Sequence, residues 1–178
     1  MTSAGALEPV PGPPAGSSNP RPHGLTVVCV FNDPSMREQC LDRSLAQGPG
    51  ERVQYVPVDN TTHRFGTAGA ALNHGARKAE FDTVVFVHQD VYLHSVPRLH
   101  ELAAMLREGT WGMVGAVGIT STGTIVGVMR DRGQLTGVDA HLPVEVDSLD
   151  EVMFMLPTDL VVGEPLTEDP DLAWHAYA

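Results

Sequence analysis

The residues best suited to chemistry in this sequence stand together at the end of an apolar run. In VVFVHQDVYL, residues 84–93, a stretch typical of a buried strand ends in His88, Gln89 and Asp90 before apolar residues resume. His88 and Asp90 are two positions apart, so on an extended chain their side chains point the same way. An imidazole and a carboxylate on one side can share a divalent ion. The alternative is a buried, hydrogen-bonded histidine beside a loop aspartate.

Polar residues follow the two preceding strands of the predicted sheet in the same way. The run LTVVCVF is followed by Asn32 and Asp33, and the run RVQYVPVDN ends in Asp59 and Asn60. Because ligands bind outside the carboxyl ends of strands in open α/β sheets, these three strand ends predict one site. Each pair also has a plainer interpretation. Asp33 is suited to capping the next helix, and Asp59 with Asn60 is typical of a turn.

Strand and helix patterns alternate along the chain and would bring these ends together. Helical spacing follows Asp33, GTAGAALNHGARKA is typical of a helix of small residues, and Ser95 with Pro97 opens a further helix. WGMVGAVGIT predicts a fourth strand. Strands that are apolar throughout and linked by helices indicate a parallel sheet. After Thr120, short strands separated by Gly, Asp and Pro predict hairpins or an antiparallel edge. The predicted class is therefore α/β, with a mostly parallel sheet flanked by helices and a C-terminal antiparallel portion.

Composition limits the domain organisation and the classes of partner. Of the 178 residues, 1–23 are rich in Pro, Gly and Ser and predict a disordered leader, and 24–178 predict a single domain. The net charge of −11 argues against nucleic acid and against an anionic membrane as partners. No apolar stretch approaches the length of a membrane span, and the N-terminus lacks a signal-peptide pattern, so we expect a cytoplasmic protein. Cys29 and Cys40 fit no metal motif and predict two buried, reduced thiols.

The motifs VPVDN, ALNHGARKA and DTVVFVHQDVYL, in this order, resemble the family 2-like glycosyltransferases of the GT-A fold. The resemblance is to a branch with His-Gln-Asp where most of these enzymes have Asp-x-Asp. It implies transfer of a sugar from a nucleoside diphosphate sugar to an acceptor that the sequence does not identify, assisted by Mn²⁺ or Mg²⁺. It also implies that the metal lies at His88, Asp90 and His175.

The resemblance implies further roles, position by position. The predicted nucleotide-binding residues are Phe31, Asn32, Asp59, Asn60, Asn73, Arg77 and Gln89. The predicted sugar or acceptor contacts are Gly118, Trp174 and Tyr177. The carboxylates available as a catalytic base are Asp150, Glu151, Asp169 and Asp171. For Asn73 the alternative is a role in close helix packing. For Asp150 and Glu151 the alternative is a solvated acidic turn.

The family's Trp-His-x-Tyr segment, here residues 174–177, continues into a helix with an acidic residue beyond it. Since this sequence stops at Ala178, we expect either a natural short form or a fragment of a longer protein. Two other functions stay open at this point. One is a non-catalytic relative that binds nucleotide sugars, and the other is a metal-dependent hydrolase that uses His88, Asp90 and His175.

Overall fold

The structure is a computed structural model that describes residues 20–47, 52–131 and 133–175. The strands of the described residues are β1 (Leu25–Phe31), β2 (Val53–Asp59), β3 (Thr83–Val87), β4 (Val114–Gly115), β5 (Gly118–Ile119), β6 (Ile125–Val126), β7 (Met129–Asp131), β8 (Gln134–Thr136), β9 (Ser148–Leu149) and β10 (Met153–Pro157). The helices are α1 (Pro34–Arg37), α2 (Arg43–Gln47), α3 (Ala68–Ala76), α4 (Val96–Arg107) and α5 (Thr158–Gly163), with a π-helical stretch Glu38–Asp42 and a 3₁₀ turn Pro170–Leu172. Within these ranges no helix is long and apolar enough to cross a membrane.

The central sheet has five strands in the order β2-β1-β3-β10-β4. β1 pairs in parallel with both β2 and β3, with Phe31 opposite Asp59 at the end of the first pair. β10 runs antiparallel to its neighbours β3 and β4. The carboxyl ends of β1, β2 and β3 therefore lie at one edge of the sheet. This arrangement confirms the predicted mixed α/β class.

The strand predicted over WGMVGAVGIT is not a single strand. It is divided into β4, which pairs with β10, and β5, which pairs with β6 and β9 in a separate three-stranded sheet. The strand beside β3 is β10 instead, whose residues belong to the region after Thr120 that was predicted to form hairpins or an antiparallel edge. The physical reason is that β10 is apolar on both faces, so it is stabilised in the middle of the sheet rather than at its edge.

The region between β4 and β10 forms hairpins, as the sequence predicted. β7 and β8 pair as a two-stranded hairpin, and β5 joins β6 and β9 antiparallel. Gly127 and Gly137 have positive φ angles of 94° and 91°. Glycine adopts this conformation without the cost that a side chain would add.

Helices cover both faces of the central sheet. On one face, α4 packs against Val27, Val85 and Met155, together with Leu41 of the π-helical stretch and Leu45 of α2. The opposite face packs against α3 and α5 through a second buried cluster. Two-sided burial explains why these strands are apolar throughout rather than alternating. At Gly75 of α3, an added Cβ would collide with the side chain of Val28, so this helix lies against the sheet at a distance that only glycine allows.

The two cysteines are free thiols but differ in burial. Cys29 is buried in β1, and burial raises the pKa of its thiol to about 12. Cys40 is only half-buried, so the prediction of two buried thiols is wrong for this residue. Its side chain lies on the π-helical stretch, where its Sγ donates to Met36 Sδ at 3.9 Å.

Most of the predicted leader, residues 1–23, lies outside the described part of the chain, which begins at residue 20. The last leader residues contact the domain. His23 Nδ1 lies 2.6 Å from Asp82 Oδ2, and Arg21 pairs with Asp159. Arg21 and His23, within the predicted leader, therefore lie against the domain.

Candidate functional site

A cleft of about 360 Å³ opens at the carboxyl ends of β1, β2 and β3. Its apolar lining comes from the strand ends and from α3, with Phe31, Phe86 and Phe154 among the residues. Its polar lining comes from the loops that follow the strands and from the turn before β10: Asn32, Asn60, His63, His88, Gln89, Asp90 and Glu151. The predicted convergence of three strand ends on one site is thus present in the structure.

Gln89 joins the end of β3 to the end of β1. Its Oε1 accepts hydrogen bonds from the backbone N–H groups of Asn32 and Asp33, both at 3.0 Å, and its Nε2 donates to Asn32 Oδ1 at 2.9 Å. The amide suits this position because it donates and accepts at the same time. Gln89 and Asn32 both line the cleft, where their side chains hold each other in place. Their contact with the nucleotide stays a prediction.

Asp33 caps α1, which confirms the plainer of its two interpretations. Its Oδ1 accepts from the backbone N–H groups of Ser35 and Met36 at 3.0 and 3.1 Å and from the Ser35 hydroxyl at 2.8 Å. The N–H of Met36 and the Ser35 hydroxyl hold the pKa of the Asp33 carboxyl below its usual range. Capping starts the helix directly after β1 and so fixes where the cleft wall begins.

At the end of β2, the carboxylate of Asp59 bonds within the loop that follows the strand. Asp59 Oδ1 accepts from the backbone N–H of Thr61 at 2.8 Å and from the Thr61 hydroxyl at 2.7 Å. The Thr61 N–H, followed by its hydroxyl, lowers the pKa of Asp59 below its usual range. Asp59 is exposed and does not belong to the described residues that line the cleft. Its predicted contact with the nucleotide stays a prediction.

Asn60 organises the loop after β2 and brings a further residue into the cleft. Its backbone N–H donates to Phe31 O at 2.8 Å, and its side-chain amide both donates to Phe65 O and accepts from Phe65 N, at 3.3 and 2.8 Å. The loop held in this way places His63 on the cleft lining, with a positive φ of 55°. Sequence reasoning missed His63. The only feature of the sequence that could have indicated His63 was its position four residues after the end of β2.

His88 and Asp90 both line the cleft, and both side chains are exposed. The chain turns between them, since residues 89–90 form a turn and Val91 N donates to His88 O at 3.3 Å. The backbone of His88 is tied to the loop before β10 through a 3.0 Å hydrogen bond from its N–H to Val152 O. The two residues therefore reach one cleft from a turn rather than from an extended strand.

The segment after α5 crosses the start of α3 and closes one side of the cleft. Asn73, only 2% exposed, donates through Nδ2 to Leu166 O at 2.8 Å and to Glu168 Oε1 at 3.0 Å, and its Oδ1 accepts from Leu166 N at 3.1 Å. Ala68 N donates to Ala173 O at 2.9 Å. These contacts deliver Trp174, which is 45% exposed, to the cleft lining.

Beyond Trp174, His175 Nδ1 lies 3.1 Å from Glu151 Oε1. The pair joins the C-terminal segment to the turn before β10, and Glu151 lines the cleft. Of the four carboxylates available as a base, Glu151 is the one that the described structure places on the cleft lining. Asp150 accepts from Val152 N at 2.9 Å within the turn, and Asp169 accepts from Asp171 N at 2.9 Å within the 3₁₀ turn.

Several predicted site residues lie away from the cleft. Asn73 is fully occupied by the C-terminal segment, which favours its structural interpretation over nucleotide binding. Arg77 is exposed just after the last turn of α3. Gly118 is buried in β5, where an added Cβ would lie only 2.8 Å from the carbonyl oxygen of Ser148. Tyr177 lies outside the described residues.

The fit of a divalent ion depends on how many protein ligands it would need. Within the described ranges, no group of three or more His, Cys, Asp and Glu side chains could hold a metal ion. With two protein side chains, His88 and Asp90, an ion would need further ligands such as phosphate oxygens, as Mg²⁺ commonly has. A carboxylate on one ring nitrogen, as Glu151 is on His175, is also usual for metal-binding histidines. The metal role of His175 stays a prediction.

Comparison with known proteins identifies one family. The model of a family described as a glycosyltransferase-like family matches residues 25–172, which is most of the chain. No curated protein matches the chain. The matched range includes all the described cleft residues except Trp174.

Proposed function

Because the chain belongs to this glycosyltransferase-like family, we propose that it transfers a sugar from a nucleoside diphosphate sugar to an acceptor. The observation that carries the proposal is the cleft at the carboxyl ends of three parallel strands, where α/β sheets bind their ligands. At about 360 Å³ the cleft falls within the range of small-molecule sites. The mixed sheet, with helices on both faces, agrees with a GT-A-like fold.

On the donor side, the apolar strand ends offer a surface for the nucleoside, and the turn after β3 offers ligands for the diphosphate. We assign the diphosphate to His88 and Asp90, acting through Mn²⁺ or Mg²⁺. A bound divalent cation would neutralise the charge that develops on the leaving diphosphate. Gln89 has a positioning role, since its three hydrogen bonds fix the end of β1 relative to these residues.

On the acceptor side, Glu151 is the base that fits best, because its carboxylate lies on the cleft and is paired with His175. In an inverting transfer, the acceptor oxygen forms a bond to the anomeric carbon and its proton passes to the Glu151 carboxylate. The bond from the anomeric carbon to the phosphate oxygen breaks, and its electron pair leaves with the diphosphate. Trp174 provides an exposed ring against which a sugar can pack.

The proposal is tested by calorimetry of UDP and GDP binding, with Mn²⁺ and with a chelator. We expect the wild-type chain to bind at least one of the two, at least tenfold more tightly with Mn²⁺ present. Asp90→Asn should remove that metal-dependent gain, because an amide is a weaker ligand for a divalent ion than a carboxylate. Glu108→Gln is the matched control, since it removes one exposed carboxylate from the end of α4, away from the cleft.

Turnover separates a transferase from a non-catalytic relative that only binds nucleotide sugars. Release of nucleoside diphosphate from the donor sugar, followed over time, should fall at least a hundredfold in Glu151→Gln while donor affinity changes little, because a base acts mainly in the transition state. A wild-type chain that binds neither UDP nor GDP under any metal condition would contradict the proposal. Binding without measurable release would favour the non-catalytic alternative.

A further inference from the structure

His63 lines the cleft from a different strand end than the proposed diphosphate ligands. It follows β2, whereas His88 and Asp90 follow β3, and β1 lies between these two strands. Two strand spacings separate the ends of β2 and β3 by about 10 Å. If the diphosphate binds beside His88 and Asp90, a donor that extends along the cleft brings its nucleoside towards the end of β2.

The backbone of His63 has a conformation that few residues other than glycine adopt. Its φ is 55°, in the left-handed region, where histidine is found more often than most residues. Its N–H donates to Asn60 O at 3.0 Å, and Asn60 is only 2% exposed and bonds to Phe65 in both directions. The loop therefore fixes the backbone at His63 in the left-handed region, and strained residues of this kind concentrate at functional sites.

Asp59, a predicted nucleotide-binding residue of the same strand end, bonds within its own loop instead. Its Oδ1 is taken by the N–H and hydroxyl of Thr61, and it is not among the described residues that line the cleft. Of the described residues in the loop after β2, Asn60 and His63 line the cleft. The Asn60 amide is occupied by Phe65, so His63 carries the side chain that suits contact with a ligand.

We propose that the His63 imidazole contacts the nucleobase of the donor and contributes to the choice between bases. This rests on the proposed function and names the residue that recognises the nucleoside part of the substrate. An imidazole can lie against the flat face of a base or exchange a hydrogen bond with its edge. Both contacts depend on the base and neither involves the diphosphate.

The test compares nucleoside diphosphates with pyrophosphate, all in the presence of Mg²⁺, by calorimetry. His63→Gly removes the ring and accepts the positive φ without strain, so the loop should keep its shape. We expect UDP or GDP, whichever the wild-type chain binds, to bind about tenfold more weakly, the effect of losing one good contact. Pyrophosphate affinity and the melting temperature should stay unchanged. Thr62→Ala, at the exposed neighbouring residue, is the matched control and should leave all affinities unchanged.

A second variant guards against a loop that rearranges. His63→Asn tolerates the left-handed conformation but lacks the ring, so it should weaken nucleoside diphosphates and spare pyrophosphate in the same way. Unchanged nucleoside diphosphate affinity in both variants would overturn the proposal, as would equal losses for pyrophosphate. In either case nucleoside diphosphate binding by the wild-type chain would still support the transferase. A wild-type chain that binds pyrophosphate but no nucleoside diphosphate would overturn both.

Discussion

Replacing Asn73 tests whether the cleft depends on the segment that follows α5. Asn73→Ala would leave the buried N–H and C=O of Leu166 without their side-chain partner, and would remove the bond to Glu168. A buried backbone group that loses its partner costs about 1–2 kcal/mol. Two such groups predict a loss of about 2–4 kcal/mol in the free energy of unfolding.

Urea denaturation followed by circular dichroism measures this loss, and tryptophan fluorescence reports on the segment itself. The chain has two tryptophans, so the fluorescence is best read in a Trp111→Phe background, where Trp174 is the remaining signal. In Asn73→Ala we expect the emission of Trp174 to shift towards that of a solvent-exposed indole below the unfolding transition. Arg77→Ala, at an exposed residue beside the same helix, should change neither property.

A charge variant sharpens the same test. Asn73→Asp keeps the size of the side chain but places a carboxylate where Asn73 Nδ2 lies 3.0 Å from Glu168 Oε1, so it should destabilise at least as much as alanine. Adding Glu168→Gln to that variant should recover part of the loss, since a glutamine amide can donate to the new carboxylate. If Asn73→Ala unfolds within about 0.5 kcal/mol of the wild type yet loses nucleotide affinity, Asn73 contacts the ligand and the structural interpretation is refuted.

Two further predictions concern the packing and the titration of α3. An added Cβ at Gly69 would collide with the carbonyl of Thr167, so Gly69→Ala should lower the free energy of unfolding by about 1–3 kcal/mol in urea denaturation and displace Trp174. Gly66→Ala, with open space around the added Cβ, should lower it by less than about 0.5 kcal/mol. Equal effects of the two variants would contradict the close approach of α3 to Thr167. Burial, followed by the positive charges of nearby Lys and Arg side chains, lowers the pKa of His74 below its usual 6.5 in the folded state. The unfolded chain then binds the proton more readily, so this contribution to stability is complete above about pH 6.5 and is lost as the pH falls through the lower folded value. Denaturation midpoints measured from pH 7 to pH 5 should therefore fall less steeply in His74→Gln than in the wild type, and parallel curves would exclude the effect.

The elements that local signals define could be predicted from the sequence. β1, β2 and β3 are continuous apolar runs, and the helices that follow carry their own start signals, such as the Asp33 and Ser95 caps. The meeting of strand ends at one edge of the sheet followed from parallel topology alone. For this reason a cleft at the strand ends could be predicted, although the predicted site residues Asp59, Asn73 and Gly118 are not among the described residues that line it.

The errors come from contacts between distant parts of the chain. β10 lies beside β3 through pairs such as Phe154 with Phe86, and the apolar run MFMLP indicates a buried strand but not the strand with which it pairs. Asn73 bonds to Leu166 across 93 residues, so its structural role could not be read from its own helix. The placement of His63 on the cleft depends on a left-handed backbone angle, which cannot be predicted from a sequence without a glycine at that position.

The polar residues in and around the cleft differ in the hydrogen bonds that their side chains can form. Three amides, those of Gln89, Asn60 and Asn73, each donate and accept at once, and each holds a loop or segment by its backbone. An ionised carboxylate only accepts, and a neutral imidazole offers one donor and one acceptor on opposite sides of a ring, so neither can replace an amide in such a clamp. The amides that resembled nucleotide ligands in the sequence therefore act first as supports. Under the proposed function, binding and catalysis would fall to the imidazoles and carboxylates that line the cleft.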